Sequence, residues 1–128
     1  MIVLDSTVLI DHLRGRPAAE RVNRLAQSHE ILATTAINVE EIVRGLRMSE
    51  QPAADKLFAG LVILEIGHEE AVRAGQWRRD FSALGITLSQ ADCLIAACVV
   101  TAGGRLATGN PQDFPMPGVH VEDWPVGT

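Results

Sequence analysis

Short apolar segments that fit β-strands alternate with longer segments of helical periodicity along most of this chain. The strand-like segments are IVL near the amino terminus, EILAT, LVILEI, RLAT and VHVED. Strands that alternate with helices form a parallel sheet that is covered by helices on both faces. The sequence therefore predicts an α/β fold, a three-layer α/β/α sandwich around a mostly parallel central sheet.

The segments between the strands have the spacing of amphipathic helices. TAINVEEIVRGLRM has apolar residues at positions 39, 42, 43 and 46, on one helical face. SQADCLIAACVVTAGG is apolar almost all round, which predicts a buried helix that ends at its two glycines. Further helices are predicted over 7–13, 18–27, from about 52, and over HEEAVRAGQWRRDFSAL. Because no repeat, low-complexity tract or linker divides the chain, we expect residues 1–128 to form a single domain.

Composition narrows the class of protein. The 128 residues are 47% hydrophobic and 21% charged, which is typical of a globular protein and not of a disordered chain. Cys93 and Cys98 lie five residues apart in a predicted helix, on sides that face about 140° apart, so they cannot form a disulfide with each other. No apolar run reaches the roughly 18 residues of a membrane helix. We expect a cytoplasmic protein with reduced thiols and no membrane contact.

The charge of the chain bears on its partners. The formal net charge is −5, which argues against non-specific binding along a nucleic-acid backbone. Nevertheless, all but one of the basic residues are arginine, a side chain that suits bidentate phosphate contacts. The alternative is that these arginines lie on solvated helix faces, paired with nearby glutamates.

Asp5 directly follows the first predicted strand. The carboxyl ends of strands are where open α/β sheets bind their ligands, so Asp5 is a candidate functional residue. The alternative is that Asp5 caps the following helix. Because Ser6 and Thr7 could cap that helix equally well, a cap does not require an aspartate there.

Glu40 and Glu41 lie in the middle of a predicted helix. Glu40 precedes Arg44 by four residues, in the favourable order for an exposed ion pair worth about 0.3–0.5 kcal/mol. Glu41 is displaced by about 100° around the helix and is free for another role. It could also compete for Arg44, so position alone leaves the choice between the two glutamates open.

Two further acids follow later in the chain. Asp92 is the only charged residue between Ser89 and Thr101, and a carboxylate beside a buried helix is costly unless it is compensated. The alternative for Asp92 is a capping box in which Ser89 caps the helix and Asp92 reaches back to the Ser89 amide. Asp113 lies in LATGNPQDF, where turns often hold an aspartate for local hydrogen bonds only.

Together these segments resemble a PIN domain, and most closely a VapC-type toxin ribonuclease of a toxin–antitoxin pair, over nearly the whole chain. VLDSTVLID is similar to the first motif of the family, with Asp5 as its first acid. TTAINVEEIVRG is similar to the second motif, in which the family's glutamate precedes a glycine by four residues, so that Gly45 selects Glu41. LSQADCLIAA is similar to the third motif and assigns Asp92.

LATGNPQDF is similar to the fourth motif, with Thr108 and Asn110 as polar lining and Asp113 as the last acid. Many relatives carry an acidic or a basic residue where Gly109 and Asn110 stand here. The resemblance implies four catalytic acids, which are Asp5, Glu41, Asp92 and Asp113. It also places Ser6, Thr108 and Asn110 at the substrate.

The resemblance implies a metal-dependent endoribonuclease. Oxygen-only ligands suit Mg²⁺ or Mn²⁺, and Asp5 and Asp92 would hold such an ion directly or through water. A water activated in this way would cleave RNA to leave a 5′-phosphate and a 3′-hydroxyl. The implied partners are RNA, a small antitoxin that inserts near the acidic pocket, and a second copy in a homodimer. No direct DNA binding is expected, since no helix-turn-helix or basic arm is evident.

Three other classes of protein are alternatives to a PIN-like ribonuclease. A phosphatase of the haloacid-dehalogenase type needs a second aspartate two residues after Asp5, where Thr7 stands. A phospho-accepting receiver domain needs an acidic pair after the first strand and a lysine after the last, and the sole lysine is Lys56. A PIN-fold binding module that has lost catalysis stays open as the alternative, although the presence of all four acids argues against it.

Overall fold

A computed structural model describes residues 1–127 of the chain. The five strands are β1 (Ile2–Leu4), β2 (Leu32–Thr35), β3 (Val62–Leu64), β4 (Arg105–Thr108) and β5 (Val121–Asp123). The six α-helices are α1 (Ser6–Leu13), α2 (Pro17–Ala26), α3 (Ala36–Gly45), α4 (Gln51–Ala59), α5 (His68–Ala83) and α6 (Gln90–Ala102). Short 3-10 turns span Met48–Glu50 and Pro111–Asp113.

The strands form one sheet in the order β3-β2-β1-β4-β5, and every pair of neighbours is parallel. The predicted parallel α/β architecture is confirmed. Strand β1 lies in the centre, and its last residue, Leu4, pairs with Ala107 of β4. The backbone N–H of Asp5 donates to the Ala107 carbonyl at 3.0 Å, so the residues that follow β1 and β4 meet at one edge of the sheet.

Two hydrophobic clusters cover the two faces of the sheet. Alternate side chains of β1 enter different clusters: Ile2 and Leu4 pack with α1 and α2, whereas Val3 packs with α5 and α6. This alternation follows from the two-residue repeat of a strand. Helix α6 is buried along most of its length, as its nearly uniform apolar sequence predicts. Helices therefore cover both faces of the sheet. The edge at which β1 and β4 end stays open for the site.

Some elements begin and end differently from the prediction. Strand β2 continues to Thr35, where the Thr35 hydroxyl accepts from the Asn38 N–H at 3.3 Å and caps α3. Helix α3 ends at Gly45 rather than at residue 48. The two 3-10 turns were not predicted, because turns this short leave no periodic pattern.

Cys93 and Cys98 are buried and free, as predicted. Burial raises the pKa of the Cys98 thiol to about 11. Within residues 1–127, no helix has both the length and the apolar character needed to cross a membrane.

Candidate active site

Asp5 is buried, with 7% of its surface exposed, and it stands where β1 passes into α1. It occupies the N-cap position, but its side chain makes no capping hydrogen bond. Instead, Oδ1 accepts from the Asn38 amide at 3.0 Å and Oδ2 accepts from the Thr108 hydroxyl at 2.7 Å. The carboxylate is thus held by two other elements, and the capping alternative does not describe its side chain.

Asn38 is fully buried in the first turn of α3, and sequence reasoning did not identify it. Its side-chain nitrogen donates both to Asp5 and to the Ser6 hydroxyl, the latter at 2.9 Å. Its Oδ1 accepts from the Thr35 hydroxyl at 2.7 Å, which fixes the orientation of the amide. One signal was available: Asn38 lies three residues before Glu41, on the same helical face as the motif glutamate.

Glu41 is directed toward the end of β1. The Ser6 hydroxyl donates to its Oε1 at 2.7 Å, so Ser6 links Glu41 to the Asn38 amide. Glu40 is exposed and pairs with Arg44 at 3.6 Å, as its spacing predicts. The structure therefore separates the two glutamates: Glu41 joins the network around Asp5, and Glu40 does not.

The loop after β4 supplies the third side of the network. The Thr108 hydroxyl, which donates to Asp5, also accepts from the Asn110 N–H at 3.0 Å. The Gly109 N–H donates to the Thr7 hydroxyl at 2.9 Å. A Cβ at Gly109 would lie 2.5 Å from a methyl group of Val126, so only glycine fits there without displacing the carboxyl-terminal segment. The prediction placed Thr108 and Asn110 here but not Thr7.

Asp92 lies in the first turn of α6, half-buried. Burial is the largest cause that raises the pKa of its carboxyl, and the charges of Asp113, Asp5 and Glu41 raise it further, while a hydrogen bond with Ser89 opposes the rise. The Ser89 hydroxyl accepts from the Asp92 N–H at 3.0 Å, which is one half of a capping box. Within the part of the chain that the structure describes, the reciprocal bond from the Ser89 amide to the carboxylate is not formed.

The charges of Asp5, Glu41 and Asp113 all act on Asp92, so Asp92 lies within electrostatic range of the other three predicted acids. Asp113 is the exposed member, at the end of a 3-10 turn. Across residues 1–127, however, no group of three or more His, Cys, Asp or Glu side chains is arranged to hold a metal ion directly. The two findings agree because charges act over longer distances than metal–ligand bonds. The acids form an electronegative site that is wider than a single coordination sphere.

A second buried carboxylate, Asp11, was also not anticipated. Its Oδ2 accepts from the Ala18 N–H at 2.9 Å and its Oδ1 accepts from the Gly127 N–H at 2.9 Å. Asp11 therefore ties α1 to the start of α2 and to the segment whose Val126 packs on Gly109. It lies in a position to support the site without belonging to the four acids.

Comparison with known proteins is consistent with this geometry. The PIN domain family model matches residues 2–115. Ribonuclease VapC10 of Mycobacterium tuberculosis is 34% identical over 116 residues, which cover 91% of this chain and 87% of the relative. Ribonuclease VapC19 of the same species is 31% identical over 117 residues, covering 91% and 94% of the two chains.

A solved structure has the same fold. The crystal structure of VapBC2 from Rickettsia felis, bound to a DNA fragment from its promoter, aligns with a TM-score of 0.83 at 21% identity. The alignment covers 97% of this chain and 99% of the other. From the family model and the two relatives above 30% identity, this chain belongs to the PIN domain family and is similar to its VapC members.

Proposed function

We propose that this protein is a Mg²⁺-dependent endoribonuclease that acts as the toxin of a toxin–antitoxin pair. The observation that carries the proposal is the hydrogen-bond network that joins Asp5 to Glu41 through Asn38 and Ser6. The charges of Asp113, Asp5 and Glu41 add to burial in raising the pKa of the Asp92 carboxyl. Carboxylates that face one another without a cation repel each other, so their arrangement favours binding of a positive ion. The curated relatives are ribonucleases, which supports the reaction class.

The donor set fits Mg²⁺ or Mn²⁺. All four acids offer hard oxygen ligands, and Mg²⁺ usually keeps several waters and uses only one or two carboxylates. Each oxygen of Asp5 accepts one short hydrogen bond, and a carboxylate oxygen can accept more than one contact. Asp5 and Asp92 would therefore hold the ion, in part through water, which accords with the absence of a ready-made cluster of three ligands in residues 1–127.

When bound, the ion would supply stabilisation of the charge on the phosphate and would lower the pKa of water. The chain's own residues perform the remaining tasks. Asn38 and Thr108 hold the Asp5 carboxylate in one orientation, and Ser6 orients Glu41. Glu41 and Asp113 would orient water and accept its proton. Asn110 would contact the RNA, since its backbone is anchored to Thr108 beside the acids.

The test is incubation of the purified protein with total RNA, with Mg²⁺ and with EDTA, followed by sequencing of new 5′ ends. We expect discrete cleavage sites with 5′-phosphates that appear only with the metal. Single-stranded or looped RNA is the expected substrate, because a duplex hides its base edges. Unchanged RNA at high protein concentration would instead favour the alternative of a PIN-fold binding module without catalysis.

The proposed partner is a small antitoxin. A groove of about 140 Å³ between α1 and α3 is lined by apolar side chains, including Ile10, Leu13 and Ile42, and it reaches Glu41. An amphipathic helix with a basic residue would fill such a groove and pair with the acidic site. The structure of VapBC-5 from Mycobacterium tuberculosis, a member of the VapBC family of toxin-antitoxin systems that has this fold, supports an antitoxin partner.

Co-expression with the adjacent small reading frame should relieve growth arrest caused by this chain alone.

A further inference from the structure

An acidic site repels the RNA that it is proposed to cut. Two of the acids, Asp5 and Glu41, are joined through Asn38 and Ser6, and the chain as a whole carries a net charge of −5. A strand of phosphates can approach such a site only where positive charge lies close by. The position of unpaired arginines next to the acids is therefore informative about the path of the substrate.

A cavity of about 290 Å³ opens where α5 and α6 are joined, and it is lined by Arg78, Arg79, Ser82, Thr87 and Leu88. Arg78 and Arg79 precede Ser82 by four and three residues, so each is a neighbour of Ser82 on the surface of α5. The last two precede Ser89, the N-cap of α6, whose first turn carries Asp92. The cavity therefore lies at the end of α6 whose first turn carries Asp92.

The lining of this cavity suits a phosphate group. It offers two guanidinium groups and two hydroxyls, and no acidic side chain lines it. Arg78 makes no ion pair with any carboxylate in residues 1–127, and Arg79 pairs only with its exposed neighbour Asp80 at 3.8 Å.

We infer that Arg78 and Arg79, with Ser82 and Thr87, bind a backbone phosphate of the RNA strand on the side of the site where α5 joins α6. This inference rests on the proposed ribonuclease function and adds the direction in which the substrate leaves the acids. Arginine recognises phosphate by bidentate hydrogen bonds, and hydroxyls add further donors. The contact is with the backbone, so it is independent of base sequence.

The first test measures binding without cleavage. Asp92→Asn protein in EDTA is titrated with a fluorescent single-stranded RNA of mixed sequence, alone and with Arg78→Gln and Arg79→Gln added. The two extra changes should weaken binding about tenfold at low salt and reduce the slope of log affinity against log salt by about 0.7, since the pair contacts one phosphate and each phosphate contact on a single strand contributes about 0.7. Matching affinities and slopes, or no RNA binding by the parent, would overturn the inference.

Arg24→Gln in the same background is the matched control. Arg24 is also exposed and without an ion pair in the described residues, but it lines a cavity with Ile2 and Arg105, at the opposite edge of the sheet from the acids. The Arg24→Gln change should alter RNA affinity less than twofold. An equal loss from Arg24→Gln would mean that only net charge matters, and it would overturn the assignment of this cavity.

A second test locates the phosphate. Each phosphate of an RNA oligonucleotide is replaced in turn by a neutral methylphosphonate, and binding is measured for the Asp92→Asn parent and the triple variant. One replacement should weaken binding by the parent yet leave the triple variant unaffected. An identical profile for both proteins would refute the contact. Because neither measurement requires cleavage, failure here is distinguishable from failure of the ribonuclease proposal.

Discussion

Two aspartates of the same site have opposite surroundings. Asp5 is buried, and its two carboxylate oxygens accept hydrogen bonds from Asn38 and Thr108. Asp92 is half-buried, and burial, with the charges of Asp113, Asp5 and Glu41, raises the pKa of its carboxyl. The two carboxylates therefore differ in their surroundings and not in their residue type.

Asp92→Asn should abolish RNA cleavage and leave the fold intact. A raised folded-state pKa means that the native state binds a proton more tightly than the unfolded state. The wild-type stability should therefore fall as pH rises from the unfolded value of 3.8 through the raised folded value. Melting temperatures across pH 3 to 7 should show the variant level with the wild type at low pH and at or above it near neutrality. A variant that is less stable only near neutrality would contradict the role of repulsion.

Asn38→Leu should lose both stability and activity. Leucine has a similar size but cannot donate to Asp5 or Ser6, which leaves buried acceptors without partners at a cost of about 1–3 kcal/mol in the free energy of unfolding. If Asn38 also orients the acids, cleavage should fall about 10- to 100-fold, as for outer-shell partners of metal ligands. Urea unfolding measures the loss of stability, and cleavage rates measure the loss of activity. Asn23→Leu, at an exposed position, is the control.

At the scale of the element, α3 presents adjacent glutamates to two different environments. The Thr35 cap fixes where the helix begins, and the helical repeat then directs Asn38 and Glu41 toward the end of β1. Glu40 lies one step around the helix, in solvent. A helix that started one residue earlier would put Glu40 at the position that Glu41 now occupies, so the cap determines which acid enters the site.

Glu41→Gln and Glu40→Gln form a matched pair. Glutamine at 41 can still accept from the Ser6 hydroxyl, so the fold should persist while most cleavage is lost with the charge. Glutamine at 40 removes an exposed ion pair worth about 0.3–0.5 kcal/mol and should leave cleavage unchanged. Comparable loss of cleavage in both variants would show that the register of α3 does not separate their roles.

At the scale of the whole molecule, the site depends on segments that are far apart in sequence. The Asp5–Thr108 bond joins residues 103 positions apart, and the bond from Gly127 to Asp11 spans 116 positions. The second bond holds the segment that packs on Gly109, next to the residues that contact Asp5. The carboxyl-terminal segment therefore supports the loop after β4.

Asp11→Asn should lower the free energy of unfolding by about 1–3 kcal/mol. Each carboxylate oxygen of Asp11 accepts a hydrogen bond from one backbone N–H group, whereas the amide of asparagine has only one oxygen that can accept. Asp55→Asn is the control, since Asp55 is exposed and bonds only to Gln51 within its own helix. Asp55→Asn should change the free energy of unfolding by no more than about 0.5 kcal/mol. Urea unfolding of both variants measures the difference. An equal, small change in both would show that the bonds of Asp11 do not support the fold.

The sequence by itself determined the architecture of this protein and pointed to four acids as candidate site residues. The two-residue and 3.6-residue repeats predicted a parallel sheet between helices, and parallel strands bring their carboxyl ends to one edge. Asp5 could therefore be placed at that edge from its position after β1. The motif resemblance, and not periodicity, selected Glu41, Asp92 and Asp113.

Only the tertiary structure decided what each acid contacts. Asn38 looked like an ordinary polar residue of an amphipathic helix, and Asp11 like a polar residue within an apolar segment. Their roles depend on partners 33 and 116 positions away, at Asp5 and Gly127. A periodic pattern records which face of an element is buried but not which side chain lies opposite. The hydrogen bonds of a buried polar group are therefore decided by packing between elements, which no local pattern of residues contains.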